Sequence, residues 1–262
     1  MSAALASGLI FSHIMGNCND RPSPIMPPAA DPGLVDKLVA ANRILYRQGV
    51  VDGFGHVSVR HDASPDHFLL ARNMAPSLVW AQDIITFDLD GAALDAAGRR
   101  VYLERFIHAE IYRARPDVQA VVHSHSPSVI PFGVTAQPLR PVFHMSGFLA
   151  EGSALFEIRN VAGDTDMLVS NGPLGVALAA ALGSRSTVLM RGHGSTVVGA
   201  SLEQAVYRAI YAEVNARLQI QAMALGKVTY LNAQEAAKAA AINDTQLTRA
   251  WELWTQEIGA IE

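Results

Sequence analysis

The sequence predicts an α/β domain in which helices cover one central sheet. Three observations carry that expectation: short apolar runs that read as strands, longer stretches with apolar residues at helical spacing between them, and no internal repeat or low-complexity tract. Half of the 262 residues are apolar and 17% are charged, so the chain can fill one sizeable core. Its length suits one large domain, or one domain with appendages.

Residues 1–32 read as a flexible leader and 33–262 as the folded domain. The run Arg21 to Pro32 is rich in proline, and Met26 is an alternative start. Order begins near Gly33, where Leu34, Leu38, Val39 and Leu45 recur at helical spacing and Gly49 offers a stop. His56-Val57-Ser58-Val59-Arg60 alternates as a strand does. His67 to Leu70 and Ile84 to Asp88 suggest two more, with Asp90-Gly91 a turn. Leu103 to Ala114 reads as a helix ended by Arg115-Pro116, since the residue before proline disfavours the helical region. Ala120 to His125 is a short strand, and an irregular stretch follows from Pro127 to about Ser170. Asn171-Gly172-Pro173 opens an Ala-rich helix reaching Gly183, and Thr187 to Met190 is a buried strand opening onto Arg191-Gly192-His193-Gly194. Ser201 with Gln204 forms a capping-box pattern for a helix to Gly226, and a final helix is expected over Ala233 to about Ile258.

Composition excludes some functions. A net charge of −4 gives no basic footprint, so nucleic acid is not an expected partner. The apolar stretches are interrupted by Arg, Gly or Pro, and residues 3–15 lack the preceding Lys or Arg of a secretory signal, so no membrane association is expected. Cys18 is the single cysteine; no intrachain disulfide can form, which favours the cytoplasm.

The chemistry concentrates in histidines. Side chains at i and i+2 of a strand share a face, so His123 and His125 stand close enough to hold one ion. Alone, such a pair is equally an ordinary pair of surface or core histidines. His193, between two glycines after another strand, adds a third imidazole, and three would leave an open coordination position. Glu104, at the start of its helix, is either a macrodipole partner or a proton-transfer group whose pKa burial raises toward neutrality.

The segments Tyr102-Leu103-Glu104-Arg105-Phe106-Ile107-His108, Arg115-Pro116-Asp117, Val121-Val122-His123-Ser124-His125 and Arg191-Gly192-His193-Gly194 together resemble the class II aldolase/adducin family, over about Leu34 to Glu235. The resemblance implies a three-layer α/β/α fold around a mixed, largely antiparallel sheet. It implies His123, His125 and His193 as ligands of one divalent metal ion per subunit, and Glu104 as the catalytic acid/base. It also implies a homo-oligomer, usually a tetramer, with active sites between subunits.

Where sugar-phosphate aldolases of that family hold phosphate with Gly-Asn, Thr-Gly and Ser-Ser pairs, this sequence has Gly55-His56, Arg72-Asn73 and Tyr102-Leu103. A sugar phosphate is therefore not expected. Arg72 offers a fork for a carboxylate, or is a solvated surface arginine. His56 and His144 are substrate-binding or structural candidates, and Tyr102, Phe143 and Met145 could line a slot for a flat ring or simply pack in the core. Leu189 to Gly194, with Tyr207 to Ala216, looks like the branch that decarboxylates hydroxylated aromatic or heteroaromatic acids such as dihydroxyphthalate. That resemblance points to manganese or zinc, with iron, cobalt or magnesium also admissible. An aldolase or epimerase acting on an unphosphorylated hydroxy-carbonyl compound is the alternative, and a non-catalytic adducin-like interaction protein the second.

Overall fold

A computed structural model describes residues 26–259. Residues 1–25, including Cys18 and most of the expected leader, lie outside the described residues. The rest of that leader is pinned: the Pro28 carbonyl lies 3.0 Å from His61 Nε2, and Asp31 caps the first helix through Gly33 N–H and Leu34 N–H. Proline at the first helical position then starts α1 (Pro32–Arg47).

Three antiparallel strands follow: β1 (His56–Arg60), β2 (His67–Ala71) and β3 (Ile84–Asp88). Helix α2 (Arg105–Ala114) leads to β4 (Ala120–Ser124). The stretch expected to be irregular carries short elements: α3 (Ile130–Val134), β5 (Ala154–Phe156) and α4 (Arg159–Ala162). After α5 (Gly172–Leu182) come β6 (Thr187–Met190) and β7 (Gly194–Gly199), a strand the sequence pattern did not flag. Its glycines and hydroxyl residues dilute the apolar signal, yet it is fully buried between two other strands. The expected last helix is two, α7 (Ala233–Asp244) and α8 (Leu247–Ile258), which follow the long α6 (Leu202–Leu225). The break falls at Asn243-Asp244-Thr245, residues that favour caps over helix interiors, and the Asn243 side chain donates to the His144 carbonyl at 2.8 Å.

The seven strands form one sheet in the order β3-β2-β1-β4-β7-β6-β5, antiparallel throughout except for β5 beside β6. Helices α1, α6 and α8 pack together on one side, and α2 with α5 on the other. The mixed, largely antiparallel sheet and its helical layers therefore agree with the expected fold. Alternation along β1 sends Val57 and Val59 into the core beneath α1, while His56 and Ser58 face α2. No helix among the described residues is long and apolar enough to cross a membrane.

The two helices behind the site touch at Gly175 of α5. A Cβ there would run into the Phe106 carbonyl and the Glu110 side chain. Gly175→Ala should therefore push α5 off α2 and cost about 1–3 kcal/mol, read as a lowered urea midpoint with an unchanged m-value; an unaltered midpoint would mean the helices are free to shift.

Candidate metal centre

Each ligand is delivered by a different constraint. His123 is the fourth residue of β4, paired with His56 of β1 on one side and Thr196 of β7 on the other, and is fully buried. His125 lies just past the strand end. His193 sits in the β6–β7 hairpin turn, where Gly192 adopts φ +66 and a Cβ at Gly194 would strike the Ser124 carbonyl. That close approach brings the hairpin tip onto the end of β4. Glu104 is the residue from which α2 starts.

Together Glu104, His123, His125 and His193 offer one donor atom each, all within 4.8 Å of one another. The His193 and His125 Nε2 atoms are 3.0 Å apart, and Glu104 Oε2 lies 3.5 Å from His193 Nε2 and 3.7 Å from His123 Nε2. Ligands about 2.0–2.1 Å from a tetrahedral ion sit roughly 3.3 Å from each other, so this spacing suits one ion. His123 Nε2 is buried without a hydrogen-bond partner among the described residues. An orphaned buried nitrogen is costly unless something fills its lone-pair direction, and a divalent cation fits that need.

The other ring nitrogens are tied back, as metal-binding imidazoles require. His193 Nδ1–H donates to the Met167 carbonyl at 3.0 Å, which leaves Nε2 for the ion. Met167 holds a left-handed φ of +71, a strained conformation for a residue with a side chain. Arg191 Nη2 lies 3.7 Å from Met167 Sδ, and its Nε lies 2.5 Å from Glu157, bracing the turn. His123 Nδ1 faces Thr196 Oγ1 at 3.4 Å.

Charge follows burial. Desolvation holds His123 down at about 3, against the pull of Glu104, and lowers His125 as well. Both are neutral imidazoles, the form that binds metal. Burial also opposes charge at His193, but the Glu104 carboxylate outweighs it and raises that pKa. Burial alone would raise Glu104; the His193 hydrogen bond, the electrostatic pull of the His123 and His193 rings and the Val169 N–H, donating at 3.0 Å, hold it instead at about 2. The expectation of a carboxyl raised toward neutrality is thus corrected: Glu104 is a carboxylate.

A cavity of about 380 Å³ opens over the cluster, lined by His56, Asn73, Tyr102, Glu104, His123 and His125, with Phe54, Met74, Leu103 and Leu168 as its apolar wall. The Tyr102 hydroxyl donates to the Met74 carbonyl at 2.5 Å, so this ring is clamped in place, and its own ionisation is pushed up to about 12, chiefly by burial. Arg72 is not in the cavity lining; its Nε donates to Asp83 Oδ1 at 2.6 Å, beside the rim residue Asn73. His144 is not brought to the cluster within this chain. It lies with Met145 in a separate cavity of about 630 Å³ against Tyr207, Tyr211 and Trp254, and Phe143 packs near Tyr211.

Sequence reasoning missed Met167, Val169 and Thr196. The first two act through their backbone, which leaves no side-chain cue. It also passed over His108, fully buried behind His56, although the spacing Glu104–His108–Tyr112 places all three along one face of α2.

Comparison with known proteins agrees with this geometry. The description "Class II Aldolase and Adducin N-terminal domain" matches residues 36–220. The chain is 36% identical over 255 residues to the decarboxylase tropJ of Talaromyces stipitatus, covering 88% of this chain and 95% of that protein. It is 34% identical to a 3,4-dihydroxyphthalate decarboxylase of Arthrobacter keyseri, covering 76% and 82% respectively. Among solved structures, an L-fuculose 1-phosphate aldolase from Glaciozyma antarctica superposes with a TM-score of 0.71 at 27% identity, over 86% of this chain and 88% of that one. With its sheet order, its three-histidine cluster and these matches over most of its length, the chain belongs to the class II aldolase and adducin family.

Proposed function

We propose that this chain is a metal-dependent carbon–carbon lyase that decarboxylates a hydroxylated aromatic or heteroaromatic acid, with 33–262 as its catalytic domain. The observation that carries the reading is the Glu104 carboxyl group, 3.5 Å from His193 and 3.7 Å from His123 in a cluster with His125, at the floor of a cavity walled by rings and apolar side chains. The occupation of the phosphate-pair positions by His56, Asn73, Tyr102 and Leu103 supports it, as do the two relatives named as decarboxylases.

His123, His125 and His193 would hold one divalent ion per subunit, manganese or zinc by preference. Bound there, it supplies positive charge opposite a ring hydroxyl and the neighbouring carboxylate, easing charge build-up on oxygen. Glu104 enters as a carboxylate, so it first takes the ring hydroxyl proton and then returns it to the ring carbon bearing the departing carboxylate. The carbon–carbon bond breaks with its electron pair flowing back into the ring, carbon dioxide leaves, and the phenolate oxygen regains a proton from water. Asn73 and His56 face the substrate. Arg72, held at Nε by Asp83, keeps two Nη groups without partners among the described residues, and these anchor a second carboxylate at the rim.

Phe54 and Leu103 leave 70% and 60% of their surface exposed beside the cavity. Large apolar side chains at a site entrance suit a second subunit closing it, so the working form is a homo-oligomer, a tetramer by preference. The single cysteine suits a reducing compartment, and we place the activity in the cytoplasm.

Metal-loaded protein offered a panel of ortho-hydroxy aromatic acids should release carbon dioxide with a change in ring absorbance. Retro-aldol cleavage of an unphosphorylated hydroxy-carbonyl compound without any aromatic turnover would place it with the aldolases instead. Glu104→Gln should lower kcat by about 100-fold or more with metal content unchanged; a kcat within a fewfold of wild type would remove Glu104 from the proton path. Chelator treatment should abolish turnover, manganese or zinc should restore it, and His123→Ala should hold well under one ion per chain by elemental analysis. Sedimentation should give a mass above one chain; a fully active monomer would rule out a shared site.

A further inference from the structure

Behind His56 in the cavity wall runs a line of buried polar groups that the reaction above does not use, His108, Ser58 and Tyr112. His56 Nδ1 lies 2.6 Å from His108 Nε2, His108 Nδ1 lies 2.6 Å from Ser58 Oγ, and Ser58 Oγ lies 2.8 Å from the Tyr112 hydroxyl. All four side chains are buried, His108 and Ser58 completely. Such a row inside an apolar core is retained only if every member is satisfied.

The row has a direction. Ser58 Oγ is the only hydrogen-bond acceptor for the Tyr112 hydroxyl among the described residues, and the other polar group on that ring is the Arg60 guanidinium over its face, which accepts nothing. A backbone N–H, that of Val121, also points at the Tyr112 oxygen. Tyr112 therefore donates to Ser58, since leaving a buried O–H unpaired costs more than any alternative. Ser58 has two partners and must donate to the other, His108 Nδ1. His108 is then protonated at Nε2 and donates to His56 Nδ1. Each ring then accepts at one nitrogen, His108 at Nδ1 from Ser58 and His56 at Nδ1 from His108, so neither is the doubly protonated cation. A neutral imidazole whose Nδ1 accepts carries its proton on Nε2. In His56 that nitrogen has no protein partner among the described residues, and His56 lines the cavity.

We propose that the chain Tyr112–Ser58–His108 is a positioning device that fixes His56 as the Nε2–H tautomer, so that His56 presents a hydrogen-bond donor to an anionic oxygen of the substrate. His56 then acts as a donor and never as a base, and complements the carboxylate of Glu104 across the same cavity. A donor aimed at a carboxylate or phenolate oxygen selects for substrates that carry one beside the reacting carbon. The tautomer itself does not depend on the decarboxylase reading; only the identity of the oxygen does.

The test is 15N NMR of the zinc-loaded full chain labelled at histidine, with ring signals assigned by comparison with His56→Gln and His108→Gln. Both His56 and His108 should show a protonated Nε2 and an unprotonated Nδ1. A His56 signal protonated at Nδ1 overturns the proposal. His108→Leu removes the donor, so the His56 signals should become a mixture of the two tautomers, and kcat/KM on the aromatic acid should fall about 10- to 100-fold with zinc content retained. An unchanged His56 spectrum in folded His108→Leu protein also overturns it. If no aromatic acid is turned over while the Nε2–H tautomer is found, the substrate reading fails and the positioning chain stands.

Discussion

Strand register is the constraint on which the rest of this structure depends. His123 reaches the site because β4 pairs with β1 at His56 and with β7 at Thr196, and side chains in register share one face of the sheet. A slip of one residue would turn His123 toward α1 and α6 and leave His56 and Thr196 without it. Burial on both faces forbids the slip: Val122 and Val121 are each fully buried, on opposite sides of the sheet. The clustering of these histidines is thus a by-product of core packing. The hairpin that carries His193 is locked to the same strand, because Gly194 lies against the Ser124 carbonyl and admits no side chain.

Burial also sets the charges that the chemistry needs. Desolvation lowers the pKa values of His123, His125, His56 and His108 and so favours neutral rings, the form in which the first two could hold a metal ion and in which the last two share a hydrogen bond. The same burial would neutralise Glu104 were it not for the imidazoles and the Val169 N–H around it. The Glu104 carboxylate remains charged despite its burial, and its charge is held by the groups that position it. Met167 shows the cost: its backbone is strained so that its carbonyl can orient His193.

Much of this was legible in the sequence, and the reasons are specific. Helix ends were readable at Asp31, Pro32 and Ser201, where local side-chain chemistry decides the outcome. The clustering of the three histidines was readable because imidazoles are rare enough for their spacing and their neighbouring motifs to mean something. Strand β7 was not, because Gly194-Ser195-Thr196 carries no apolar alternation and owes its burial in part to β4, about 70 residues away in the chain. The charge state of Glu104 was misread for the same kind of reason. Sequence displays one carboxyl and hints at burial, but the three groups that reverse the effect of burial come from β4, the β6–β7 turn and the segment at Val169. His144 shows the converse, a residue chosen for its type that the fold carries into a different cavity.

Aldol cleavage and decarboxylation ask the same thing of a site: charge on an oxygen must be tolerated while a carbon–carbon bond breaks, and a proton must move. The cluster of three imidazoles with a carboxylate serves either, which explains how one fold can resemble both a sugar-phosphate aldolase and aromatic-acid decarboxylases. Discrimination must then come from the wall. A phosphate is gripped by many small donors that let backbone N–H groups approach, whereas Tyr102, Leu103 and His56 fill that space with rings and a branched chain. A flat acid fits such a wall through dispersion and needs only a few directed polar contacts to fix which carbon meets Glu104. On the proposed reading His56, whose ring is braced at 2.6 Å by His108 and packed at a tilt against the clamped Tyr102 with centroids 4.6 Å apart, is the most rigidly aimed of those contacts. On the reading proposed here, specificity in this member of the family resides in side chains held by the core behind them, and the residues that set substrate choice include ones no substrate touches.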